Sequence, residues 1–508
     1  MGEELSAFPL QRIAIIGGGA VGWLGAATLA RVLRGSCAIE LLEIPDEAAN
    51  NGAIASVPSL HRLFRLLALD EASLMRATQA TYRLGAQFRD WGAPGQRYFH
   101  GFGSIGAKLD AVQFQHHWLR LAASGECPAF EEFSIAAQAA RVGRFALPHA
   151  DPRSVLSLFS YAWHFDAGML AVALRDHALK AGVSRTRGEV AAVELEPEHG
   201  YIRSLALTDG TRLSADLYID CSGARGLLGS ALEIAMEDWS AWLPCDRIQT
   251  LRCAPDESLP PYSENIADSA GWHANVPLQH ATVRSFAYSR EFIDDDAARA
   301  RLLALAGAGA LDTPRRQTLM RGRPREFWTR NCLLLPGDAL DPLESVSLHL
   351  AQTGITRFLA HFPVRKESAA DRNEYNRLTC EEYDRIRDLL ALHFHASARE
   401  DSPFWERCRN MAVPEGLARK LSLFADSGRV SIGEDEHCGV DGWLAVLLGQ
   451  GIRPRTWDPL AQTTPLANMR SALTGMAAEM RARVQALPTH REFIAARGVA
   501  APSPTARA

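Results

Sequence analysis

Three glycines, Gly17, Gly19 and Gly22, stand in G-x-G-x-x-G register in "RIAIIGGGAVGWLGAATLARVLRG", between a β-like apolar run and a helix-like one. This spacing suits one task. The first glycine permits a tight turn, the second lets the backbone approach a pyrophosphate, and the third lets helix and strand pack closely. The helix would open at Ala20, offering a phosphate its first N–H groups and the positive end of its dipole. Glu43, 21 residues after Gly22 at the end of the next strand-like run "AIELLEI", is placed to accept hydrogen bonds from a ribose. The competing reading is a glycine-rich turn without a ligand; strand, glycines, helix and acid in this order oppose it. Glycines alone leave NAD and FAD both open.

Other candidate chemistry is weaker. The loop "GEDEHCG" gathers Glu434, Asp435, Glu436, His437 and Cys438, but ligands so close together cannot all face one ion, so it reads as a solvated turn and no metal site is expected. His393 and His395 alternate around a helix and are assigned no role. Ser222 and Ser230 lack the G-x-S-x-G elbow of a serine hydrolase. Nine cysteines without a C-x-x-C pair fit reduced, mostly buried thiols.

The elements that must position these residues follow from periodicity. Strand-like runs ("RIAIIG", "AIELLEI", "GEVAAVELE", "DLYIDCSG", "NCLLLPG") alternate with helix-like runs such as "GMLAVALRDHALKAG", which is an α/β pattern. From about Ala351 the pattern becomes almost wholly helical, as in "EEYDRIRDLLALHFHASA". With 508 residues, 47% hydrophobic and 22% charged, the chain can bury two or three packed regions. A formal charge of −5 gives no footprint for nucleic acid. The longest apolar tract, "WLAVLLG", is too short to span a bilayer, and "MGEELSAFPLQR" has no secretory pattern, so a cytoplasmic location is expected. "GVAAPSPTARA" reads as a disordered tail, with the fold ending near Arg497.

Two further segments bear on the nucleotide. "DGTRLSADLYIDCSGARG" gives a hairpin and then a strand ending before Cys221, Ser222 and Gly223, and resembles the second nucleotide-proximal strand of hydroxylase-like FAD enzymes. "NCLLLPGDALDP" resembles the Gly-Asp motif of that group, which implies that Gly337 and Asp338 lie at the flavin's ribityl chain. Together with "HFDAGMLAVAL", "GWHANVP", "DPLES", "AHFP", "PFW" and "GWLAVLLGQGIRP", these make the chain similar to the flavin-dependent tryptophan halogenase family over nearly its whole length. The resemblance implies a Rossmann-type FAD-binding domain of the hydroxylase-like group with a second, mainly helical substrate domain. It also implies FADH2 supplied by a separate flavin reductase, and chloride or bromide oxidised to hypohalous acid. That acid would pass through the protein to a lysine beside an aromatic substrate, either a small molecule or a tryptophan side chain.

Several family positions differ. The lysine of a helix reading roughly T-F-K-x-x-I-x-F-x-x-W is Arg83 in "TYRLGAQFRDW"; a guanidinium keeps its charge and presents a planar fork, whereas an ammonium can lose a proton. The glutamate of a G-E-x-T-x-P strap is Ile54 in "AIASVPSL". The Ser-Thr-Gly thought to hold halide is Ser345, Val346 and Ser347, which keeps backbone donors but loses the glycine's conformational freedom. In G-W-x-W-x-I-P, Trp272 and Pro277 remain, but the second tryptophan is Ala274, leaving a gap for substrate or neighbouring side chains to fill. Glu344 matches the glutamate that would accept a substrate N–H and stabilise charge on an attacked ring, the alternative being a carboxylate at a helix N-terminus. Two classes of function therefore stand open: an FAD-dependent oxygenase or halogenase using Glu344, Arg83 and Ser345, and a flavin-binding protein without turnover.

The expected layout places FAD-binding parts at 8–110, 151–235 and 326–365, and substrate regions at 111–150 and 236–325. A C-terminal helical domain is expected at 366–497 and the tail at 498–508. Neither a nucleic-acid nor a membrane partner is expected, and a homodimer is left open.

Overall fold

The computed structural model describes residues 10–44, 52–107, 112–125, 127–337, 340–363, 369–433 and 436–500. Chain contacts divide it into two compact units: Met1–Gln79, Phe165–Ser240 and Arg315–Tyr383 form one, and Ala80–His164, Ala241–Pro314 and Asp384–Ala508 the other.

The first unit is built on a sheet in the order Trp328–Thr329, Cys332–Leu334, Leu217–Asp220, Arg12–Ile16, Ala38–Glu43, Ser184–Arg187. All neighbours are parallel except the first pair. Its central strand "RIAII" has no polar residue after Arg12 because both faces are covered, as parallel sheets require. One face packs on a small antiparallel sheet through Ala14, Ile16, Tyr218, Leu205 and Leu207. Helices Ala20–Leu33, Ala167–Lys180 and Ser347–Ala360 form a layer of this unit in which Ala20–Leu33 touches both others. At Gly25, where two of them meet, a Cβ would stand 3.5 Å from Ile355, an ordinary van der Waals contact. This is the Rossmann-type arrangement expected from the alternating runs.

The second unit carries most of the remaining helices, including Phe114–Ala123, Glu415–Ser427, Val440–Gly449 and Leu466–Gln485. They accompany a sheet containing, in order, Arg247–Cys253, Thr282–Tyr288, Gly271–Pro277, Ser263–Asp268, Gly85–Arg89 and Arg97–Gly101. "TYRLGAQFRDW", expected to be helical, is instead two strands, Thr81–Arg83 and Gly85–Arg89. The reason is a period of two: Tyr82, Leu84, Ala86 and Phe88 are all fully or almost fully buried. Gly85 breaks the run at φ +154, where a Cβ would meet the His100 carbonyl oxygen at 2.3 Å. The ordered chain also runs past Arg497, since Val499 is buried and its carbonyl accepts from Gln279 Nε2 at 3.0 Å. Among the described residues no helix is long and apolar enough to cross a membrane.

Candidate active site

In the first unit the glycine loop separates into two kinds of position. At Gly17, φ +134, a Cβ would lie 2.4 Å from the Cys221 carbonyl oxygen, and at Gly22 a Cβ would lie 2.4 Å from the Gly17 carbonyl oxygen. The protein's own backbone demands both. At Gly19 nothing lies within 4 Å of a built Cβ. Space there is left by the fold, directly before helix Ala20–Leu33, which has no side-chain cap and no acidic residue in its first turn. An anion fits such a place. Glu43 ends its strand as expected, but its Oε2 already accepts from Arg185 Nε at 2.6 Å and Arg187 Nε at 3.1 Å. The carboxylate is thus fixed in direction, with one oxygen engaged.

Asp220 is a residue that sequence reading passed over. Buried at the end of Leu217–Asp220, it accepts from Ser222 N at 2.9 Å through one oxygen and from Leu228 N at 2.8 Å and Gly229 N at 3.2 Å through the other. Ser222 Oγ in turn accepts from Leu227 N at 2.9 Å. Asp220 therefore shapes the turn through Cys221, Ser222 and Gly223 (φ +60) and caps the short helix Leu227–Ala231. An aspartate ending a strand before Ser-Gly is an Asx-turn signal that was available in the sequence.

A Cβ at Gly337 would meet Leu350 Cβ at 2.9 Å, so the strand end and the helix Ser347–Ala360 are in close contact. Asp338 lies outside the described residues. Asp341 begins the next turn, accepting from Leu343 N at 3.1 Å, and the turn buries Glu344. The conformational freedom expected to be missed at Ser347 is not needed there. Ser347 is the first residue of the helix, and the left-handed position is Ser345, φ +58. Ser345 N donates to the Pro342 carbonyl at 2.9 Å, so it is committed within the turn, and the donors left at the helix start belong to Val346 and the residues after it.

Arg83, in the second unit, is buried at the end of a chain of hydrogen bonds. Thr81 Oγ1 donates to the Pro277 carbonyl at 2.7 Å and so must accept from His164 Nδ1 at 3.0 Å. That leaves His164 Nε2 to accept from Ser263 Oγ at 3.1 Å, and Ser263 Oγ to accept from Arg83 Nε at 3.1 Å. One tautomer of a neutral imidazole satisfies every step. Burial first, then the charges of Arg83 and His490, hold the His164 pKa well below its usual value, in agreement. The guanidinium also sits over the Phe102 ring, 5.0 Å from its centroid. His490, on the C-terminal helix His490–Ala496, accepts from Tyr82 N at 3.1 Å and donates through Nδ1 to the Leu259 carbonyl at 2.8 Å.

Strand Gly271–Pro277 puts Trp272 and Ala274 on the same face, both buried. Trp272 lies 6.2 Å from Trp91, centroid to centroid, in a cluster with Phe394 and Trp405 around Trp91. His393 has a packing role, stacked on Phe88 and bonded through Nδ1 to Tyr98 Oη at 2.8 Å. The acidic loop is not simply a solvated turn. The side chain of Glu436 is covered, receives Lys420 Nζ and Trp443 Nε1, each at 2.9 Å, and anchors the loop, while Cys438 Sγ stands 3.6 Å from His100 Nε2. Glu434 and Asp435 lie outside the described residues. All nine cysteines are free thiols.

The model of the tryptophan halogenase family matches residues 12–466. A tryptophan 6-halogenase, ThaL from Streptomyces albogriseolus, is 30% identical, covering 82% of each chain. Among solved structures, the flavin-dependent halogenase BrvH from Brevundimonas sp. BAL3 superposes with a TM-score of 0.91 at 35% identity, over 97% of this chain and 99% of that one. Xcc4156, a flavin-dependent halogenase from Xanthomonas campestris, does so with a TM-score of 0.91 at 36% identity, over 98% and 99%. Enzymes of this kind use FADH2 made by a separate flavin reductase and take halide as a substrate. The space at Gly19 and the uncapped helix after it fit the dinucleotide part of that cofactor. By sequence match and by fold, this chain belongs to the tryptophan halogenase family.

Proposed function

We propose that this chain oxidises an electron-rich, indole-like ring with reduced FAD, dioxygen and halide, Arg83 standing where the family has its lysine. The observation that supports this most is the cradle around Gly19, free of side chains and facing an uncapped helix N-terminus. Gly17, Gly19, Ala20 and Gly22 would hold the pyrophosphate, Glu43 the ribose, and Ser222, Gly223, Gly337 and Asp338 the rest of the flavin. When bound, reduced FAD supplies the electrons that activate oxygen. Buried Glu344 would accept the N–H of the substrate and offset positive charge on its ring, an effect that a dry site strengthens. The Val346 and Ser347 backbone would face halide. Trp272, Ala274 and Pro277 would border the substrate side. Arg83, permanently charged and held by Ser263, would orient oxidant or substrate as a donor, without the proton exchange open to an amine.

A second reading, a flavin-binding protein without halogenation, is favoured by two observations: Arg83 Nε is already engaged by Ser263, and Ala274 occupies the second tryptophan position. Incubating the full chain with FAD, a flavin reductase, NADH, indole and bromide, followed by mass spectrometry, separates the two. Brominated indole is the expected product. Hydroxylated indole alone would keep the oxidative reading but remove halide from it. Tight FAD binding with no product above the reductase control would establish the second reading.

A further inference from the structure

The segment Gly52–Ser59 follows, in sequence, the strand that ends in Glu43, and the helix Ser347–Ala360 follows Glu344 and Ser345. One histidine joins them. His349, in the first turn of that helix and more than nine-tenths buried, has its Nδ1 2.9 Å from Ser59 Oγ. Its Nε2 stands 3.2 Å from Glu382 Oε1. The other Glu382 oxygen accepts from Arg357 at 2.9 Å, and Arg357 also donates to Thr379 Oγ1 at 2.9 Å. Gln352 Nε2 adds a bond to the Ser59 carbonyl at 3.2 Å.

Two features mark this as more than a satisfied core network. Ser59 precedes helix Leu60–Leu66 with helical backbone angles (φ −56, ψ −28), so its hydroxyl does not cap that helix and is directed to His349. The carboxylate beside Nε2 also favours a proton there, which leaves Nδ1 as the acceptor for the Ser59 hydroxyl in the neutral ring. His349 is thereby oriented from one side by a buried ion pair and reads out, on the other, the position of Ser59.

We propose that His349 is a positioning residue for flavin binding, tying segment Gly52–Ser59 to the helix turn that packs on Gly337. This rests on the reading of the first unit as the FAD site. With the tie in place, segment and helix start are ordered before the cofactor arrives; without it, binding must order them.

The test is FAD affinity, measured by flavin fluorescence on the full chain, together with thermal melting. Ser59→Ala and His349→Ala should each raise the FAD Kd roughly three- to tenfold, the range of one lost hydrogen bond. His349→Gln, with one donor and one acceptor of similar reach, should stay within about twofold of the unaltered chain. The double variant should bind no more weakly than His349→Ala, because the two groups act through one contact. Lowered melting temperatures with unchanged Kd would assign the network to stability alone and overturn the proposal, as would effects that multiply in the double variant. Failure of the unaltered chain to bind FAD would instead overturn the reading of the site, and this proposal with it.

Discussion

The glycine cradle and the Arg83 chain both hold a polar group in place, by opposite means. In the cradle the directing groups are backbone, and the sequence contributes chiefly by leaving side chains out: Gly17 and Gly22 because the fold has no room, Gly19 where there is room that no residue takes. Around Arg83 every step is a side chain, and each donor is matched to an acceptor from Pro277 through Thr81, His164 and Ser263. A backbone site keeps its form while the surrounding residues drift, provided the glycines stay. A side-chain chain changes its chemistry when one member changes. The positions at which the resemblance implies a different residue do not divide along this line: Arg83 and Ala274 fall in the second unit, and Ile54, Val346 and Ser347 in the first.

The comparison can be broken most forcefully at Gly17. Gly17→Ala forces an L-residue to φ +134 with its Cβ 2.4 Å from a carbonyl oxygen. We expect a loss of roughly 4 kcal/mol or more in stability, measured by urea unfolding, and no FAD binding.

Next in size is an acid-sensitive limb in the second unit. Burial first, then the charge of Arg491, overcome the opposing hydrogen bond to Leu259 and push His490 down from 6.5 to about 4. Its folded pKa lies below the unfolded one, so the unfolded chain binds a proton first. The stability it contributes is complete above about pH 6.5 and falls as pH drops towards about 4, by about 3 kcal/mol in all. Protonation would turn Nε2 from an acceptor into a donor and expel the Tyr82 N–H. Unfolding free energies measured from pH 7 to 4.5 should show this slope, and His490→Asn should lessen it while leaving the part that His164 contributes.

The smallest effect sharpens the contrast from the other side. Ser347→Gly introduces the glycine that the family resemblance implies, yet the position is helical, so the change should cost under about 1 kcal/mol by thermal melting and leave FAD affinity unchanged. A gain in affinity would mean that backbone freedom at 347 matters after all.

The cradle was legible because its rule is local: six residues and two flanking elements specify it, and Gly17, Gly19 and Gly22 sit as the motif requires. Strand Thr81–Arg83 was misread because a helix supplied by resemblance overrode alternation visible in Tyr82, Leu84, Ala86 and Phe88. His164 and Ser263 could not be found from sequence. They lie 83 and 180 residues from their partners Thr81 and Arg83, and no local pattern announces a hydrogen bond at that separation. The Glu436 side chain is not the solvated charge expected of that loop, because its partner Lys420 sits on helix Glu415–Ser427, 16 residues earlier.

Tyr82 N receives its acceptor from His490, 408 residues later. The strand carrying Arg83 is made long before that imidazole, so until His490 emerges its amide has only water to bond. The second unit thus closes only after His490 has left the ribosome. Shortened products lacking helix His490–Ala496 would leave the ribosome with this strand unfinished, and their fate would be decided by chaperones and proteases before any chemistry began.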